Sequence, residues 1–145
     1  MRYLLKRWVI GRPVGRWISL NPFLLDGQAY GGLLGPVTDA ARFVQMHLGD
    51  GELDGVRVLD PGSVHEMRDI RFPGKHIDFG LGWFRPSSAR GTDAPFVQHL
   101  GGGAGFFNVM RIYPTRGVGI VVMGNATKYD IDAVVAAALD DSARG

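Results

Sequence analysis

The residues best suited to chemistry fall close together in sequence, at His99-Leu100-Gly101-Gly102-Gly103-Ala104-Gly105-Phe106. An imidazole can hydrogen-bond or orient a ligand, and glycine lets a ligand or a strand approach the backbone closely. The same run has a plainer reading, in which His99 makes a local hydrogen bond at a strand end and Gly101–Gly103 form a bulge or turn. A dinucleotide loop is excluded. Gly-x-Gly-x-x-Gly from Gly101 needs glycine at 106, where the chain has Phe106, and the residues after it read as strand, not helix. No Gly-x-Ser-x-Gly elbow is present. Ser63 and His65 are spaced for no triad, and helix capping suits Ser63 better. His47, His65 and His76 are expected at the surface. No His-x-x-x-His or similar pair exists, so no metal site is expected. Cysteine is absent, which removes disulfides, thiolate catalysis and Cys-ligated zinc. Asn125-Ala126-Thr127 fits a glycosylation triplet, a pattern common by chance.

Several elements must position this run. Val37, Ala40, Ala41, Val44 and Leu48 recur at helical spacing, which predicts a helix over 39–48 capped by Thr38 and stopped by Gly49. Residues 51–55 read as a turn leading to Val56–Leu59. Asp60 before Pro61 predicts a second helix that fades near Arg68, with Leu59 and Val64 placed as a hydrophobic staple. Strands are expected over Phe79–Phe84, Phe96–Leu100, Phe106–Tyr113 and Val118–Met123, with a hairpin connection at Pro114–Gly117. A last helix over 130–140 carries Ile131, Val134, Val135, Ala138 and Leu139 as its apolar stripe. The fold class implied is α+β, an antiparallel sheet with helices against one face. Residues 1–29 are punctuated by Gly11, Pro13, Gly15, Pro22 and Gly27 and read as an irregular extended segment or short strands with turns.

Composition sets outer bounds. With 145 residues, 46% hydrophobic and 21% charged, the chain is globular and long enough for one core. Net charge is +2, too little to argue for nucleic acid. Yet Arg2, Lys6, Arg7, Arg12 and Arg16 all precede the first acidic residue, Asp26, with Tyr3, Trp8 and Trp17 among them. Such an arm can bind nucleic acid or an anionic surface. A solvated segment, or one that packs on a missing neighbour, is the favoured reading. No apolar run approaches the roughly 20 residues of a transmembrane helix. Met1–Ile10 lacks the apolar core and small-residue cleavage site of a signal peptide, so none is expected. The compartment, bacterial cytoplasm or exported, is left open.

Four motifs together carry a resemblance. Gly31-Gly32-Leu33-Leu34-Gly35-Pro36 leads into Thr38-Asp39-Ala40-Ala41-Arg42-Phe43. Phe79-Gly80-Leu81-Gly82-Trp83 comes next, then the His99 run, then Val118–Asn125. In this order and spacing they resemble the C-terminal part of the β-lactamase-related serine hydrolases, which include class C β-lactamases, D-alanyl-D-alanine peptidases and β-lactamase-like esterases. The resemblance covers about residues 30–140 and implies a partial β-lactamase/transpeptidase-like fold lacking the upstream helical region. It implies that His99, Leu100, Gly101, Gly102 and Gly103 line a substrate pocket. There His99 would orient a substrate carboxylate or hydrogen-bond a catalytic Tyr. Family chemistry runs through an acyl-enzyme made by a Ser-x-x-Lys serine, with a Tyr-x-Asn tyrosine moving protons.

Here the chain departs from the pattern. Residues three before Lys6, Lys75 and Lys128 are Tyr3, Phe72 and Asn125, so there is no Ser-x-x-Lys. Two positions after Tyr3, Tyr30, Tyr113 and Tyr129 stand Leu5, Gly32, Thr115 and Ile131, so there is no Tyr-x-Asn. No catalytic residue is therefore expected within this chain, and no cofactor. The expectation is a half-site for an ester, amide or β-lactam substrate, completed by a missing half. Its rival is a non-catalytic remnant that binds ligand or protein and self-associates through an exposed sheet edge.

Overall fold

The computed structural model describes residues 7–21, 31–91 and 95–142. Arg2, Tyr3, Lys6, the apolar run at 22–25, Asp26 and Tyr30 lie outside the described residues. The chain divides into two compact units, Met1–Leu34 and Gly35–Gly145. In the first, a 3-10 turn at Arg7–Val9 leads into a hairpin of β1 (Ile10–Val14) and β2 (Trp17–Leu20). Its register shifts between Ile10 and Pro13. The hairpin turns at Gly15, whose positive φ of 59° suits glycine. The Asn21 side chain donates to Trp8 O at 2.7 Å and closes the hairpin's open end.

The second unit begins with α1 (Val37–Leu48). Its N-cap is Pro36, with no side-chain cap bond, so the cap expected at Thr38 already lies inside the helix. Gly49 ends the helix, its N–H bonding to Gln45 O at 2.8 Å. Short strands β3 (Glu52–Leu53) and β4 (Val56–Arg57) pair across Asp54-Gly55, both at positive φ. Helix α2 (Pro61–Arg68) starts as the sequence indicates: Asp60 Oδ1 accepts from Gly62 N at 2.8 Å.

A five-stranded antiparallel sheet comes next, in the order β5-β6-β7-β8-β9. Its strands are β5 (Ile77–Phe79), β6 (Phe84–Pro86), β7 (Val97–Gly103), β8 (Phe106–Tyr113) and β9 (Val118–Gly124). Two expectations change here. Phe79–Phe84 is not one strand. Gly80–Trp83 is a turn between β5 and β6, closed by Gly80 N to Trp83 O at 2.7 Å, with Gly82 at φ 84°. And β7 does not stop at Leu100. It runs on through the glycines, which pair without slippage: Gly101 with Asn108, Gly102 with Phe107, Gly103 with Phe106. A bulge or turn at Gly101–Gly103 is thereby excluded.

Helices cover both faces of the sheet, not one. Alternation divides β7–β9 into two sets. Val97, Ile112 and Val121 pack with Val44 and Leu48 of α1. Val109, Tyr113, Ile120 and Val122 pack with Ile131, Val135 and Leu139 of α3 (Ile131–Ser142). Val134 and Ala138 of the expected stripe are exposed, because one face of α3 is wide enough to seat only the i, i+4, i+8 row. Gly119 carries the α1 contact: a Cβ there would run into Val44 Cγ1, with Leu48 Cδ1 at 3.2 Å. Gly124 does the same under Tyr129, whose hydroxyl donates to Phe107 O at 2.6 Å.

Candidate functional site

β7 is held on one side only for most of its length. Toward β8 it pairs at every residue from Val97 to Gly103. Toward β6 it pairs only through Gln98 opposite Phe84. From His99 to Gly103, then, no described strand bonds to the outer edge of β7. Free N–H and C=O groups on such an edge are ready to bond an extended ligand backbone.

The five expected site residues lie along this edge, but their side-chain positions alternate. His99, Gly101 and Gly103 belong to the α1 face, Leu100 and Gly102 to the α3 face. His99 is exposed, sits opposite Met110, and its ring lies 5.6 Å from Phe84. Leu100 packs into the α3-side core, so only its backbone is available to a ligand. The glycines have different reasons to be glycine. A Cβ on Gly102 would come within 2.8 Å of the Phe107 ring, and one on Gly103 within 2.6 Å of the Phe106 ring. A Cβ on Gly101 would meet nothing within 4 Å, and its φ is not in the left-handed region. Neither packing nor backbone geometry within the described residues requires glycine there.

The flank of the site is riveted by a buried carboxylate. Asp78 on β5 accepts from Gly74 N at 3.1 Å, Ser87 Oγ at 3.0 Å and Arg90 Nε at 2.7 Å, and Arg90 Nη2 also bonds it. Arg90, the carboxylate's strongest partner, holds the Asp78 carboxyl well below the usual carboxylate range. These bonds tie the loop before β5 to the turn after β6, which fixes the hairpin carrying Phe84.

On the α3 face, an open hollow of about 700 Å³ is lined by Gln98, Leu100, Arg111, Lys128 and Tyr129 among others. Buried Arg111 is already committed. It donates to Gln98 Oε1 at 2.8 and 3.0 Å and to Asp132 Oδ1 at 2.8 Å, and it stacks 4.3 Å over Phe96. Sequence reasoning misses Gln98 and Arg111, which lie apart in the chain and meet only through the β7–β8 register.

The histidines expected at the surface separate. His65 is exposed and pairs with Asp50 at 3.0 Å, and His76 is exposed. His47 is the correction: it is 0% exposed. The expected apolar stripe passes through Val44 and Leu48, and the inward face of α1 is wider than that stripe, taking in Met46 and His47. No helix among the described residues is long and apolar enough to cross a membrane.

Comparison with known proteins agrees with the motifs and extends them. Residues 6–144 match the family described as Beta-lactamase, so the match also takes in the basic hairpin segment. Two curated Mycobacterium tuberculosis proteins, "Uncharacterized protein MT1414" and "Protein Rv1367c", are each 58% identical over 43 residues. That stretch is 30% of this chain and spans only 11% of each relative's length.

Proposed function

The chain belongs to the Beta-lactamase family, and from that premise we propose that it supplies the C-terminal, strand-bearing half of a serine hydrolase site. The substrates are ester, amide or β-lactam carbonyls, with esters and peptides favoured by His99 standing where other members have lysine. Residues 30–145 form the C-terminal part of the domain, and the basic segment 1–29 leads into it. The edge from His99 to Gly103 lines the acyl-transfer pocket: its backbone bonds the substrate, and His99 orients a carboxylate or the catalytic tyrosine. One observation carries this reading. Gly101 has no side chain, faces open space on an unpaired edge, and serves no packing role among the described residues.

The nucleophile must come from elsewhere, because these residues contain neither Ser-x-x-Lys nor Tyr-x-Asn. Intact-mass analysis after incubation with a fluorophosphonate, and separately with a penicillin, should find no adduct on the folded chain. An adduct would mean that a serine here is activated. The reading frame upstream should encode both motifs, and the longer protein should label at the Ser-x-x-Lys serine. Gly101→Val or His99→Ala should then slow labelling without unfolding it. An upstream frame without the motifs removes the acyl-transfer reading.

The second reading, a non-catalytic module that self-associates, draws on β9. It is one of the two outer strands of the described five-stranded sheet, and Val118-Gly119-Ile120-Val121-Val122-Met123-Gly124 contains no charge and no proline to discourage edge pairing. Sizing chromatography at rising concentration tests it, and a monomer throughout would end it.

A further inference from the structure

His47 is the most anomalous side chain among the described residues. It is fully buried, and neither ring nitrogen has a hydrogen-bond partner among the described residues. A buried polar group left unpaired is costly, so its presence here calls for a reason. Its neighbours are aromatic. Its ring meets Trp83 edge-on at 5.0 Å and Phe43 edge-on at 4.8 Å, and Phe43 stacks parallel to Trp83 at 6.2 Å. These three rings clamp α1 to the Gly80–Trp83 turn. The next residue, Phe84, touches His99 and makes the single pairing between β6 and β7.

We propose that His47 is a proton-operated latch: the neutral ring locks α1 onto the Trp83 turn, and protonation releases that turn and the Phe84 contact to His99.

Among the described residues, the surroundings offer a cation no compensation. Strands β8 and β9 present Ile112, Val121 and Gly119 to α1. From the small hairpin packed on α1, Glu52 is taken by Arg57, and Asp54 by Arg42 of α1 itself. Asp39 lies a full two turns away, at the start of α1. Arg68 of α2 is the charged group that acts on the ring, and it adds repulsion, its own charge being bonded to Asp50 at 3.0 Å. Asp50 also holds His65. Burial first, and Arg68 second, push His47 from 6.5 down to about 4. The aromatic faces attract a cation, but weakly beside the loss of hydration.

The test uses Trp83 as reporter. Trp8 and Trp17 are exposed, so a chain carrying Trp8→Phe and Trp17→Phe keeps only the buried indole. Its emission should shift to the red as pH falls from above 6.5 to about 4, while the far-ultraviolet circular dichroism is preserved. His47→Leu in that background should abolish the shift over this range. An NMR titration of the His47 ring protons, needing no variant at 47, should give a midpoint clearly below 6.5. The latch is overturned by an ordinary histidine midpoint, by unchanged Trp83 emission, by an equal shift in His47→Leu, or by a shift seen only when the helical signal is lost.

Discussion

Two glycine-to-alanine substitutions separate what the fold needs from what a ligand needs. At Gly119 an added methyl group collides with Val44 and crowds Leu48, both wedged between α1 and the sheet. Val44 is 2% exposed and cannot swing outward, so α1 must lift or a rotamer must strain. Overpacking of this kind costs about 1–3 kcal/mol. In a domain of this size that lowers Tm by roughly 4–12 °C. At Gly101 the methyl group enters open space on an extended backbone. The unfolded chain loses freedom and the native state loses nothing, so Gly101→Ala should be neutral or stabilising by up to about 1 kcal/mol. Urea unfolding with two-state analysis and a calorimetric Tm measure both variants directly. A loss of more than about 1 kcal/mol from Gly101→Ala would show that the fold itself requires glycine at 101, and the reasoning that reserves this position for a ligand would collapse.

Other consequences rest on named contacts. Because folding holds His47 near 4 rather than 6.5, the unfolded chain takes up the proton first as pH falls. Stability should therefore be full above about 6.5 and decline by as much as about 3 kcal/mol by pH 4, a slope that His47→Leu removes in pH-dependent urea titrations. Tyr129→Phe deletes the bond to Phe107 O and leaves the ring packed on Gly124, so a loss of about 1 kcal/mol in urea midpoints is expected. Asp78→Asn strips the charge that Arg90 bonds and should lower Tm, with faster hydrogen exchange in β5 and β6; unchanged exchange there would deny the carboxylate its role as a rivet.

Legibility in the sequence tracks how local each determinant is. Helix α2 is readable because its signals are adjacent: Asp60 caps, Pro61 fits the first turn, and the bond to Gly62 forms within two residues. Strand β8 is readable from its alternation and β9 from its continuous apolar run, because both are local patterns in the sequence. The Phe79–Phe84 reading fails because glycine at 80 and 82 marks a turn as readily as a close-packed strand, and only the pairing of β5 with β6 decides which. Gly101–Gly103 mislead in the opposite sense. Glycine lowers strand propensity, but full pairing to β8 outweighs it, and Phe107 and Phe106 occupy the space the missing side chains of Gly102 and Gly103 vacate. Residue type alone assigns His47 to the surface, whereas its burial is set by Trp83, a residue 36 positions later in the chain.

The geometry of the candidate site depends on elements within this chain. The position of β7 is set by continuous pairing to β8, and β8 is clamped from opposite faces by α1 and α3. The His99–Gly103 edge is thus held in place by this chain's own elements, as the proposed binding of a carbonyl group there requires. Changes to the clamp, at Gly119 or Tyr129, should then alter stability and ligand response together. Changes on the outer edge, at Gly101 or His99, should alter ligand response alone. That separation is a stricter criterion for a binding edge than loss of function at any one residue, since a purely structural strand has no position at which the two effects come apart.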